Sequence, residues 1–165
     1  MSTGQILVAG IGNIFLGDDA FGVEVVRELA RHGLPDVVHV VDFGIRSYDL
    51  AYAMMEEYRA VILVDATQRG SPPGTLYVIE PDLSQLDDLN GELVNAHSLN
   101  PVRVLHMVRS LGGDIGPLYL LGCEPAVLET EDGKIGLSDP VAAAVPEAVE
   151  MLKSLVARII LNESA

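Results

Sequence analysis

The sequence predicts an α/β fold: a three-layer, doubly wound, twisted five-stranded sheet, mostly parallel with one antiparallel strand and helices on both faces. Three observations carry that expectation. The apolar run "QILVAG" runs into a glycine turn and then an amphipathic stretch, which is the order strand, turn, helix. "AVILVDA" (60–66) is β-branched and apolar on both faces, as a buried parallel strand must be. Strand-like and helix-like segments then alternate along the chain.

Residues 5–10 form the first expected strand, and a helix follows over about 20–32. "VVHVVD" (37–42) is the second strand, and "YDLAYAMMEEY" (48–58) a short helix. After the third strand at 60–66, "GTLYVIE" (74–80) is reached through "RGSPPG" with no room for a helix. A parallel neighbour needs a long crossover, so this fourth strand is expected antiparallel, at an edge. The polar stretch 81–98 reads as a loop, 99–111 as a helix stopped by Gly112-Gly113, and "PLYLLG" (117–122) as the fifth strand. The last helix, about 138–162, has Ser138 as a candidate cap, Pro140 near its first turn, and Pro146 as an expected kink or break.

A chain of 165 residues with 49% hydrophobic content is expected to be one domain, 1–165, burying roughly two-thirds of its unfolded surface. It has neither a run of about 18 apolar residues nor a basic, apolar leader, so no membrane span and no signal peptide are expected. The single cysteine, Cys123, excludes an internal disulfide framework and a thiolate metal cluster, and suits a cytoplasmic location. With 24 acidic against 10 basic residues, the net charge of −14 disfavours nucleic acid and anionic membrane as partners. The same charge also serves simple solubility. It does not fix an oligomeric state, and a monomer is compatible with it.

Ligands of such sheets sit beyond the carboxyl ends of the parallel strands. Asp18 and Asp19 follow the first strand, Asp42 closes the second and Asp65 the third, so three strands deliver acids to one edge. Singly, each has a structural use, as a helix cap or a turn residue. Together they are costly without a cation: two unit charges about 4 Å apart repel by about 4 kcal/mol at an effective dielectric near 20. Either a proton is shared or a metal ion compensates. Of the four histidines, His97 in "NAHSLNP" alone has the loop position a ligand needs. His32 suits a helix end, His39 an edge or packed strand site, and His106 a helix face. Two carboxylates and one imidazole form a borderline-hard set suited to nickel, iron, zinc or manganese. Nucleotide binding fails on the same stretch, because Phe15 stands where the dinucleotide fingerprint needs its third glycine and no phosphate-loop lysine is near.

These residues resemble the nickel–iron hydrogenase maturation endopeptidases. "GIGNIFLGDDAFG" is similar to that family's N-terminal signature, "ILVDA" (62–66) to its third-strand aspartate segment, "HSLNPVRVL" (97–105) to its histidine segment, and "LLGCEP" (120–125) to its later Gly-x-x-Pro element. The resemblance implies that Asp19, Asp65 and His97 bind a metal. It implies nickel supplied by the substrate, with no organic cofactor. The substrate would be the [NiFe]-hydrogenase large-subunit precursor, which loses a C-terminal extension once nickel-loaded. The ion would position the scissile peptide and polarise its carbonyl or activate a water, or Asp19 or Asp42 would act directly as general base. Two other readings use the same edge: a metal-dependent hydrolase of another substrate, and a non-catalytic nickel sensor or carrier.

One segment departs from the family pattern. Where Asp-Gly-Gly-Thr is common, this chain has "DFGI" at 42–45, followed by Arg46. Phe43 and Ile45 make that loop stiffer and more apolar, and Arg46 is expected to pair with the acidic surface. Cys123, Met54 and Met55 are expected in the core.

Overall fold

The computed structural model describes residues 4–15, 17–81, 101–113, 115–126 and 136–163. Five strands, β1 (Ile6–Ile11), β2 (Val38–Gly44), β3 (Ala60–Ala66), β4 (Leu76–Ile79) and β5 (Leu118–Cys123), form one sheet in the order β2-β1-β3-β5-β4. β1 pairs in parallel with β2 and β3, β3 in parallel with β5, and β4 antiparallel with β5 at the edge. From β1 the chain goes first to one side and then, at β3, to the other. The carboxyl ends of β1 and β3 therefore flank the topological switch point, where an open α/β sheet has its crevice.

Helices α1 (Phe21–Leu29) and α4 (Asp139–Glu163) cover one face, and α2 (Ser47–Met54) and α3 (Pro101–Ser110) the other. The period-two alternation of strands decides which side chains meet which pair. Ile6 and Val8 of β1 join Ile62 and Val64 of β3 in the core under α1 and α4, with Phe21, Val26, Val149 and Leu152. Leu7, Ala9 and Ile11 join Val61 and Leu63 under α2 and α3, with Leu50, Val104 and Val108. Every residue of β1 is buried, so both faces had to be apolar. Among the described residues no helix is long and apolar enough to cross a membrane.

Several elements differ in detail from expectation. The helix expected over 20–32 is α1 followed by a 3₁₀ turn, Ala30–His32, ended by left-handed Gly33 (φ 61°). The helix expected over 48–58 stops at Met54, because Glu57 is left-handed (φ 58°) and the chain turns there to bury Tyr58. β2 runs two residues past Asp42, so that acid lies inside the strand, paired with Gly10. Pro146 does not break α4, which is continuous over 25 residues. Proline there removes one helical bond, to the Ala142 carbonyl, while Val141, Ala144, Ala148 and Val149 on both sides of it are buried against the sheet. The loop expected over 81–98 lies outside the described residues from 82 onward, and so does the start of the helix expected at 99.

Candidate functional site

A 3₁₀ turn, Gly17–Ala20, leads into α1 and carries Asp18 and Asp19. Two glycines let it sit against the strand ends. A Cβ at Gly22 would lie 2.0 Å from the Val64 carbonyl oxygen and 2.4 Å from that of Ile11, so the start of α1 rests directly on β1 and β3. A Cβ at Gly12 would lie 1.8 Å from the Asp19 carbonyl oxygen, which presses the β1 loop onto the turn. The result is that Asp19 and Asp65, 46 positions apart in sequence, share one buried end of the sheet, with 4% and 6% of their surfaces exposed.

Asp19 accepts one described hydrogen bond at Oδ2, from the Asn13 amide at 2.8 Å. Asn13 is itself held in an Asx turn, its Oδ1 accepting the Phe15 amide at 2.9 Å. Asp65 Oδ1 accepts the amide of Ala66 at 2.8 Å. Burial pushes the Asp19 carboxyl up, and the Asn13 amide only partly offsets it. Burial, and then the charge of Asp19, pushes Asp65 well above the usual carboxylate range. Two acids so placed hold a shared proton or receive a cation. The third expected metal ligand, His97, lies outside the described residues. Among the described residues no three His, Cys, Asp or Glu side chains gather as a metal-binding group.

Asp42, the other candidate base, meets a cation: its Oδ2 lies 3.5 Å from Arg27 of α1, with both side chains part-exposed. Arg46 donates to the carbonyls of Phe43 and Asp42 and pairs with Asp49 at 3.3 Å, as the acidic surface suggested. In the departing loop, Phe43 is buried under α2, Gly44 accepts the Gly12 amide at 2.9 Å, and Ile45 is 56% exposed. His39 is exposed on edge strand β2, its Nδ1 3.3 Å from the Tyr58 hydroxyl. His32 faces Glu28, and His106 lies on α3. Cys123 is fully buried, and burial followed by the charges of Asp18 and Glu124 pushes its thiol up to about 12. Met54 is in the core and Met55 packs against it.

Two buried acids beside the pair have a different occupation. Asp18 accepts the amides of Ala126 and Ser138 and the Ser138 hydroxyl at 2.7–2.8 Å. The hydroxyl expected to cap α4 thus donates to Asp18, while the Ser138 carbonyl accepts the Ala142 amide. Glu124, just past β5, accepts at Oε1 from the amides of Arg69 and Ser71 and the Tyr77 hydroxyl. Burial raises its carboxyl, but Tyr77 and the amides outweigh that and leave it below its ordinary value. Glu124 escaped the sequence reading, although the rule that selected Asp65 finds it. It ends a parallel strand at the same edge.

The chain is thus a three-layer α/β protein with two mutually repelling buried acids at the switch point of its sheet. The family model for hydrogenase maturation proteases matches residues 23–155, a span that includes Asp42, Asp65 and His97 and starts just after Asp19. The hydrogenase 2 maturation protease of Escherichia coli K12 is 32% identical over 149 residues, covering 90% of this chain and 88% of its own. Coenzyme F420 hydrogenase subunit delta of Methanothermobacter thermautotrophicus is 31% identical, covering 90% and 92%. The solved hydrogenase maturating endopeptidase HybD from E. coli superposes with a TM-score of 0.79 at 31% identity, covering 93% of each chain. The chain belongs to the hydrogenase maturation protease family, and its activity is that of a hydrogenase maturation endopeptidase.

Proposed function

We propose that this endopeptidase removes the C-terminal extension of a nickel-loaded [NiFe]-hydrogenase large-subunit precursor in the cytoplasm, recognising the nickel through Asp19, Asp65 and His97. The observation that carries this is the buried Asp19–Asp65 pair, two acids whose mutual repulsion a cation would relieve. The metal arrives as part of the substrate, so an unloaded precursor would lack the contact that favours docking. His97 enters through its loop position in the sequence and through the family resemblance. The bound ion would orient the scissile peptide, which accounts for a large share of such a barrier. In the alternative mechanism, in which a carboxylate and not the ion activates the water, Asp19 or Asp42 would be the general base. Burial raises the Asp19 carboxyl in the metal-free protein, and Asp42 lies 3.5 Å from Arg27.

Incubating the protein with nickel-loaded and nickel-free precursor, and following intact mass, tests this. Loss of the extension from the loaded form alone is expected. Asp19→Ala and His97→Ala should each slow it at least about a hundredfold. Cleavage of both forms would discard nickel recognition and keep the protease. Cleavage of neither would assign another substrate.

A further inference from the structure

We infer that Asp18 is a positioning residue: its carboxylate braces the 3₁₀ turn so that Asp19 is held against Asp65. Asp18 is fully buried and makes no use of the solvent. Its Oδ1 accepts the Ser138 amide at 2.7 Å, and its Oδ2 accepts the Ser138 hydroxyl and the Ala126 amide, each at 2.8 Å. These donors lie 108 and 120 positions away, one beyond β5 and the other at the start of α4. Successive side chains in a 3₁₀ turn are about 120° apart around its axis, so anchoring Asp18 fixes the direction of Asp19. From the other side, the loop at Gly12 presses on the Asp19 carbonyl. Buried carboxylates repel, and a free turn would rotate to separate them. Three hydrogen bonds to a charged acceptor oppose that rotation. In this way the β5 end and the α4 start are coupled to Asp19 through Asp18. The inference rests on the proposed use of Asp19 and Asp65 as the receptor.

Hydrogen exchange by NMR on the full chain reads the geometry without any cleavage, because the Asn13 amide donates to Asp19 Oδ2. Asp18→Asn should speed exchange at Asn13 on the order of tenfold and leave Leu63, deep in β3, within about twofold. Ser138→Ala, which removes one donor, should give a smaller increase, and Ser138→Thr, which restores the hydroxyl, should reverse it. Unchanged exchange at Asn13, or equal acceleration at Asn13 and Leu63, overturns the brace. Should Asp18→Asn fail to fold, the Ser138 pair decides alone. With loaded precursor, both Asp18→Asn and Ser138→Ala should lower kcat and leave KM within about twofold. A change in KM only would overturn the positioning role. If the wild-type protein leaves that precursor uncut, the substrate reading falls, while exchange at Asn13 still decides the brace.

Discussion

Two pairs of buried acids stand at the same end of the sheet and differ in the donors that reach them. Around β1 and β3, Asp19 and Asp65 each accept an amide, and both carboxyls are raised, Asp65 strongly. Around β5, Asp18 and Glu124 are as deeply buried, yet each gathers donors from remote segments, and the Glu124 carboxyl is lowered. Burial alone therefore does not make an acid reactive. What separates the pairs is how many donors the fold has already aimed at the charge. Among the described residues, Asp18 and Glu124 each receive at least three donors, whereas Asp19 and Asp65 receive one amide each. On the proposed reading, the pair with fewer donors is the one that takes the cation.

Glu124→Ala is expected to have the largest effect on stability, a loss of about 2–4 kcal/mol at pH 7, since Tyr77 and the amides of Arg69 and Ser71 lose their acceptor. Urea unfolding measures it. The sign with pH follows from the lowered carboxyl. Its stabilisation is present above its ordinary value of 4.5 and disappears as pH falls through the lower folded value. The gap between wild type and Glu124→Gln should narrow in that window. A gap independent of pH would remove Glu124 from the satisfied class.

Asp65→Asn should act in the opposite direction and more weakly, raising the melting temperature of the metal-free protein by about 2–4 °C at pH 7. A folded value raised above 3.8 means that protonation favours folding. The wild-type penalty is therefore absent below pH 3.8 and grows as pH rises through the folded value. Calorimetry at pH 3.5 and 7 should find the variant's advantage at the higher pH alone. Destabilisation at pH 7 would mean that Asp65 is as well satisfied as Glu124. The smallest effect belongs to Cys123, buried at the end of β5 with its thiol pushed up to about 12 by burial and by the charges of Asp18 and Glu124. Iodoacetamide at pH 8 should leave the native protein unlabelled, as intact mass would show. Rapid labelling would mean that the end of β5 opens to solvent.

The order of the strands' apolar runs and the edge where the acids gather were legible in the amino-acid pattern. Runs such as Ala60–Ala66 are apolar on both faces, a pattern only a covered parallel strand can bury, and acids that end such runs must fall at one edge. That placed the Asp18–Asp19 turn beside Asp65, and the family resemblance chose Asp19. The pattern by itself could not separate Asp18 from Asp19, because adjacent identical side chains in one short turn carry no periodic signal. Nor could it show that Arg27 would meet Asp42, that Glu57 would end α2, or that burial on both sides would carry α4 through Pro146. The separation of Asp18 from Asp19 depends on contacts between residues far apart in the chain, 120 positions for Ser138 and Asp18. Local pattern fixes which face of an element is apolar. Only the packed fold decides which polar groups find donors there, and so which buried charges are satisfied within the chain.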